Sequence, residues 1–234
     1  MDSGVYGIDI GSNLTNLMRC INAIDGSFRT RLGMINPQHA IKMMEQLLHE
    51  LSGPRFYKFI HVPIQSGSEK VVREMGRMHT VADFENFVQH ARKKIPDVTI
   101  ATDVIAGYPT ETEKDFEETK KLLERVRVDV VNISKFSARP GTRAKELRQL
   151  PTQTVKERSR ILTKLVRKIG AEKNKQLIGK TFEVLVTEKQ KSYTGRTRSY
   201  KQVVITKGKT KLGETVKVKI TDANHGSLFG EKIK

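Results

Sequence analysis

Polar side chains gather wherever an apolar run of this 234-residue chain comes to an end. The run "YKFIHVPI" stops at Gln65-Ser66-Gly67-Ser68, which presents an amide and two hydroxyls around a glycine turn. "VTIATDVIAGYP" carries Asp103 inside it and closes on Gly107 and Pro109, and "VDVVNISKF" closes on Phe136 and Ser137, just ahead of Arg139. These groups suit ligand binding: a phenylalanine ring can stack on an adenine, a serine hydroxyl can donate a hydrogen bond, and an arginine can pair with an anion. Each also has a purely structural use. A carboxylate in an apolar run needs partners whether or not a ligand is present, Gly107 and Pro109 make a turn, and Pro140-Gly141 can be a bend beside a solvated arginine. Thr112 and Asp115 have the spacing of a capping box, which accounts for much of the acidity in "GYPTETEKDFEET". His61 has no second histidine at ligand spacing and no evident carboxylate partner, so it reads as a satisfied, inward-facing histidine. P-loop, GxGxxG, HExxH and GxSxG patterns are all missing, so ATP hydrolysis, NAD redox, zincin and α/β-hydrolase chemistry lose their usual footholds.

The elements that must position these groups follow a βα rhythm. "RTRLGM" precedes Ile41, Met44, Leu47, Leu48 and Leu51; "YKFIHVPI" precedes Phe84, Phe87, Val88 and Ala91; "VTIATDVIAGYP" precedes Phe116, Thr119, Leu122, Leu123 and Val126. Spacings of three and four give each helix one apolar face, and strands alternating with such helices imply a parallel sheet whose polar strand ends share one edge. An open doubly wound sheet and a barrel both satisfy this pattern. At the start, Leu14, Leu17, Met18 and Ile21 read as a helix whose preceding strand is cut short. The stretch from Thr154 to Gln176 reads as a long helix with a weak point at Gly170. Beyond Gly179, five short β-branched runs in about 56 residues suit a small closed antiparallel barrel. The expected boundary divides residues 1–178 from 179–234.

Charge divides along the same line. Residues 1–144 carry 20 Lys or Arg against 18 Asp or Glu, whereas residues 145–234 carry 23 against 8, so a net +15 of the total +17 lies in the last 90 residues. A field of that sign attracts a polyanion, and a nucleic acid is the first partner it implies. No apolar run of membrane-spanning length and no signal-peptide pattern occurs, so a cytoplasmic location is expected. Cys20 stands alone, which excludes an intrachain disulfide and an all-cysteine metal site made by this chain.

Taken in order, "YGIDIGSNL", "RLGMINP", "HVPIQSGSEKVVREMGRMHT", "TDVIAGYPTETEKDFEET" and "KFSARPGT" resemble the radical S-adenosylmethionine tRNA methylthiotransferases, in the archaeal and eukaryotic branch that acts on threonylcarbamoyladenosine 37 of tRNA; "GKTFEVLVTE" through "GSLFGEKIK" looks like their TRAM domain. The resemblance implies a partial radical-SAM (β/α) barrel followed by a small OB-like barrel. It also implies S-adenosylmethionine as cofactor, [4Fe-4S] clusters, an external electron donor, tRNA as partner, and a 2-methylthio product. Carried over position by position, Gln65, Ser66, Ser68, Arg77, Asp103, Gly107, Phe136 and Ser137 would border S-adenosylmethionine, Asp9 and Gly11 would lie on an earlier loop near it, and Arg196 and Arg198 would face RNA. The cluster cysteines of the family are not among these residues, so the chain is expected to be a fragment or shortened form. A non-catalytic tRNA-binding product is the alternative.

Overall fold

Three of the helices begin at a polar side chain that caps their first turn, Asn13, Thr80 and Thr112. The computed structural model describes residues 2–233. Two short 3-10 turns, Ser3–Val5 and Ile8–Ile10, stand where a shortened strand was expected, followed by α1 (Leu14–Ala23), whose N-cap Asn13 accepts the Asn16 amide. The apolar pattern of residues 41–51 divides into α2 (Pro37–Lys42) and α3 (Met44–Ser52). Next come β1 (Phe59–His61), α4 (Glu69–Glu74), α5 (Val81–Lys94), β2 (Thr99–Ala106), α6 (Glu113–Val126), β3 (Val130–Lys135), α7 (Arg143–Glu146) and α8 (Thr152–Lys175). Both α5 and α6 start in complete capping boxes, Thr80 with Asp83 and Thr112 with Asp115.

The sheet is parallel, in the order β1-β2-β3, with isolated parallel bridges from Met34 to His61 of β1 and from Thr30 to Phe56 just ahead of it. Its two faces differ. Ile60, Ile100, Thr102 and Val104 are buried against the helices, with Phe84, Phe87, Leu122 and Leu123 in the same core. Each large side chain buried there contributes about 1.5–3 kcal/mol of transfer free energy. On β3 the alternation is sharp: Val131 and Ile133 pack against this core, while Val130, Asn132 and Ser134 on the other face are exposed. Side chains at even and odd positions point to opposite faces, so His61, Asp103 and Asn132 share the uncovered face.

The chain divides into two compact units, Met1–Val166 and Arg167–Lys234. In the second unit, β4 (Thr181–Lys189), β5 (Tyr193–Thr197), β6 (Gln202–Lys207), β7 (Thr215–Ala223) and β8 (Leu228–Lys232) close a barrel in the order β4-β5-β6-β8-β7. Four of the seams are antiparallel and the β6–β8 seam is parallel. Strand direction cannot alternate all the way around a ring of five, so at least one parallel seam is a geometric necessity. Val184, Val186, Val203, Val216, Val218 and Leu228 fill the interior. Gly170 leaves α8 unbroken: a Cβ there would lie 2.9 Å from the His225 carbonyl, and Asn174 Nδ2 donates to the Asn224 carbonyl one helical turn later at 2.9 Å. The glycine therefore serves close packing of the β7–β8 turn.

Candidate functional site

The site forms at the C-terminal ends of the parallel strands, where β1 leaves its ladder and rejoins it. Pro63 has no amide to give, and the Thr102 hydroxyl fills that gap, donating to the Val62 carbonyl at 2.7 Å and accepting from the Ile64 amide at 3.0 Å. Gln65 then returns to the sheet with φ of 72°, its amide donating to the Asp103 carbonyl and its own carbonyl accepting from the Ile105 amide. A left-handed backbone at a non-glycine residue is costly and persists only where its surroundings hold it.

Ser66 and Ser68 are fully buried, and their hydroxyls are engaged within the protein. Ser66 Oγ lies 3.3 Å from the Thr119 hydroxyl, and Ser68 Oγ donates to Asp115 Oδ1 at 2.6 Å. Gly67 passes so close to α6 that a Cβ would sit 2.5 Å from the Thr119 Cα, and its amide donates to Thr119 Oγ1 at 2.9 Å. Burial favours the protonated form of Asp115, but hydrogen bonds from Ser68, Thr112 and Lys70 outweigh it and bring the pKa down to about 2. The turn is thus bolted to the first turns of α6, with Gln65 at its head.

On the uncovered face, His61 and Asp103 meet, with Nε2 and Oδ1 2.9 Å apart, and Asn132 Nδ2 donates to the same oxygen at 2.8 Å. Burial pushes the Asp103 carboxyl up, yet the bonds from His61 and Asn132 and the nearby Arg77 charge win and hold it below the ordinary carboxylate range. Arg77 is partly buried; its desolvation lowers the guanidinium pKa against the pull of Asp103, and its Nε is buried with no hydrogen-bond partner among the described residues. A buried, unmatched donor costs about 1–3 kcal/mol, which a ligand acceptor would recover.

The next strand ends carry an aromatic corner. Gly107 turns with φ of 83° and is buried, Tyr108 meets Phe136 edge-on with centroids 5.3 Å apart, and Ser137 beside them is exposed. Glu111 Oε2 accepts the Gly107 amide at 3.0 Å and Arg158 Nη1 at 2.7 Å, all three groups being buried. Desolvation dominates there and leaves the Glu111 carboxyl above its ordinary value despite the arginine.

The fold therefore brings Gln65, Arg77, Asp103, Gly107 and Phe136 to one edge of the sheet, with Ser137 exposed there and Ser66 and Ser68 behind it. Asp9 and Gly11 lie on the exposed 3-10 turn ahead of α1 and make no hydrogen bond or ion pair to this cluster among the described residues. His61 differs from the sequence reading: it does have a carboxylate partner, supplied across the sheet 42 residues away. Asn132 and Glu111 were not singled out; their signal was a polar side chain at a strand face and a carboxylate four residues after a glycine turn. In the barrel, Arg196 stacks over the Tyr200 ring at 4.7 Å, and Arg198 lies in the turn after β5.

Comparison with known proteins bears on this geometry. Residues 17–123 match the family model of the radical SAM superfamily, and residues 175–233 match that of the TRAM domain. A probable threonylcarbamoyladenosine tRNA methylthiotransferase of Archaeoglobus fulgidus is 46% identical over 98% of this chain and 54% of its own length. The threonylcarbamoyladenosine tRNA methylthiotransferases of Drosophila melanogaster and Homo sapiens are 41% and 37% identical, over 98% and 99% of this chain and 42% and 40% of theirs. The chain is a homologue of these methylthiotransferases. It spans about half the length of the curated relatives it matches, or less. The solved structure of coproporphyrinogen III oxidase HemN from Escherichia coli, a radical SAM enzyme, shares the fold with a TM-score of 0.54 at 13% identity, over 94% of this chain and 55% of that one.

The cofactors that the radical SAM resemblance implies fit this chain unequally. Among the described residues no group of three or more His, Cys, Asp or Glu could hold a metal ion, and the one cysteine, Cys20, is exposed on α1. An iron–sulfur cluster takes several thiolates, so the residues present do not fit one. For S-adenosylmethionine the fit is better: the unmatched Arg77 Nε, the Asp103 carboxylate and the Phe136 ring suit a zwitterionic nucleoside. No helix among the described residues is long and apolar enough to cross a membrane.

Proposed function

We propose that this chain supplies the S-adenosylmethionine-facing sheet and the RNA-facing barrel of a tRNA N6-threonylcarbamoyladenosine(37) C2 methylthiotransferase, with residues 1–178 forming the partial barrel and residues 179–234 the RNA-binding module. The observation that carries the reading is the alignment of nearly the whole chain with proteins of that name. S-adenosylmethionine provides the methyl group and the means of activating a carbon–hydrogen bond; the chain's own residues bind and orient it. Arg77 meets its carboxylate and Asp103 accepts from a hydroxyl, with His61 and Asn132 fixing the carboxylate and leaving Oδ2 for the ligand. Phe136 and the Gly107 turn border the adenine, Ser137 and Gln65 offer hydrogen bonds at the rim, and Ser66 and Ser68 hold the Gln65 turn in place. Arg196 and Arg198 contact RNA. Cluster ligands and an electron donor belong to the complete reaction, and no step through a cluster is assigned to these residues.

Binding of S-adenosylhomocysteine, measured by equilibrium dialysis, tests the site. Asp103→Asn is expected to weaken it at least about tenfold, the effect of losing one charge-assisted hydrogen bond; unchanged affinity would refute the placement. The single cysteine favours a second reading for the chain by itself, a tRNA-binding product without turnover. Anaerobic treatment with iron and sulfide followed by assay for 5'-deoxyadenosine separates the two: the chain alone is expected to make none, and cluster-dependent cleavage would overturn that expectation.

A further inference from the structure

The positive charge of the first unit is confined to its final segment. Residues 1–138 hold 18 basic and 18 acidic side chains and are formally neutral, whereas residues 139–164 hold eight basic against two acidic, net +6. That segment lies outside both matched family models, which stop at 123 and resume at 175.

Within it, α8 sorts its residues by face. Val155, Arg158, Leu162, Leu165 and Val166 turn inward: Val155 sits against Gly107, Arg158 pairs with Glu111, and Leu162 joins the core with Leu165 and Val166 packed on it. Lys156, Arg160 and Lys164 recur every four residues on the outer side, and all three are exposed. Four residues advance a helix by about 6 Å and turn it only about 40° past a full rotation, so these cations form a ladder along one side. None has an ion-pair partner among the described residues, and Glu157 is the one exposed carboxylate beside them. The preceding segment 139–148 adds four exposed basic side chains against Glu146.

An ordinary solvated helix face mixes its signs and pairs them at i, i+4; this one repeats a single sign at that spacing, and like charges so placed cost the helix stability. A regular ladder of unpaired cations complements a chain of phosphates. We infer that the Lys156–Arg160–Lys164 face of α8 is a second RNA-contact surface, separate from the barrel, which grips the phosphodiester backbone of the RNA without reading its bases. The inference rests on the tRNA-binding reading above and places part of that binding outside the TRAM segment.

The test uses the full 234-residue chain and a tRNA transcript, with the dissociation constant followed across a salt series. Replacing all three residues by glutamine keeps good helix formers and removes three cations. Each lost phosphate contact lowers the slope of log affinity against log salt by about 0.7–0.9, so the triple variant is expected to lose about 2–3 in slope and at least about tenfold in affinity near 0.1 M salt. A matched variant, Arg73→Gln with Lys93→Gln and Lys121→Gln, removes the same charge from exposed positions in the neutral part and is expected to leave the slope unchanged. Equal loss in both variants, or an unchanged slope in the ladder variant with parental tRNA binding, overturns the second surface while leaving the barrel reading intact. No tRNA binding by the parent chain overturns both.

Discussion

Asp115 is the pin that holds the Gln65–Ser68 turn to α6, and Asp115→Asn is the substitution that measures it. The carboxylate is 5% exposed and accepts from Ser68 Oγ, from the Thr112 amide and hydroxyl, and from Lys70. Its pKa falls from an ordinary 3.8 to about 2. With one unit equal to about 1.4 kcal/mol, the ionised form stabilises the fold by about 2 kcal/mol at neutral pH. The Lys70 portion is partly screened, because that side chain is half exposed. The folded pKa is depressed, so this stability is present above the unfolded value near 4 and is lost as pH falls through about 2. Urea unfolding followed by the far-UV helical signal should place Asp115→Asn about 2 kcal/mol below the parent at neutral pH. The gap should shrink steadily between about pH 5 and about pH 2, where the parent loses the same charge. A gap that persists unchanged into acid, or one under about 0.5 kcal/mol at neutral pH, would refute the assignment of the depressed pKa to this turn. Binding of S-adenosylhomocysteine should weaken in parallel, since Gln65 is held at the head of the same turn.

Gly67→Ala would push a methyl group to 2.5 Å from the Thr119 Cα and 2.8 Å from the Glu118 carbonyl, both backbone atoms; a loss of at least about 2 kcal/mol in urea unfolding is expected. Glu111→Gln keeps an acceptor for the Gly107 amide but leaves Arg158 buried without its full partner, and should cost about 3 kcal/mol in the same assay, with restoration toward the parent when Arg158 is changed to Met as well. Removal of residues 179–234 should greatly weaken tRNA binding and flatten its salt dependence; affinity equal to the parent would reject the barrel as an RNA contact.

Local signals were legible because they depend on near neighbours. Thr112 and Asp115 announce their capping box by type and spacing, α5 and α6 announce their buried faces by period, and the five runs after Gly179 alternate as barrel strands must. The break between α2 and α3 was not visible, since the apolar pattern runs through Met43 without interruption. Gly170 pointed the other way: its cost to a helix is local, and the reason for accepting it, the His225 carbonyl against α8, is 55 residues distant. In the site, the sequence by itself determined that polar groups would collect at one edge of a parallel sheet, because strand ends share that edge in every βα repeat. Only the tertiary structure decided which of them face the open side. Ser66 and Ser68 turn back to Thr119 and Asp115 on α6, while His61, which looked solitary, finds Asp103 through the β1–β2 register and Asn132 through the β2–β3 register. Hydrogen bonds between residues 29 to 53 positions apart are set by register and helix docking, and neither is written in the spacing of any one segment.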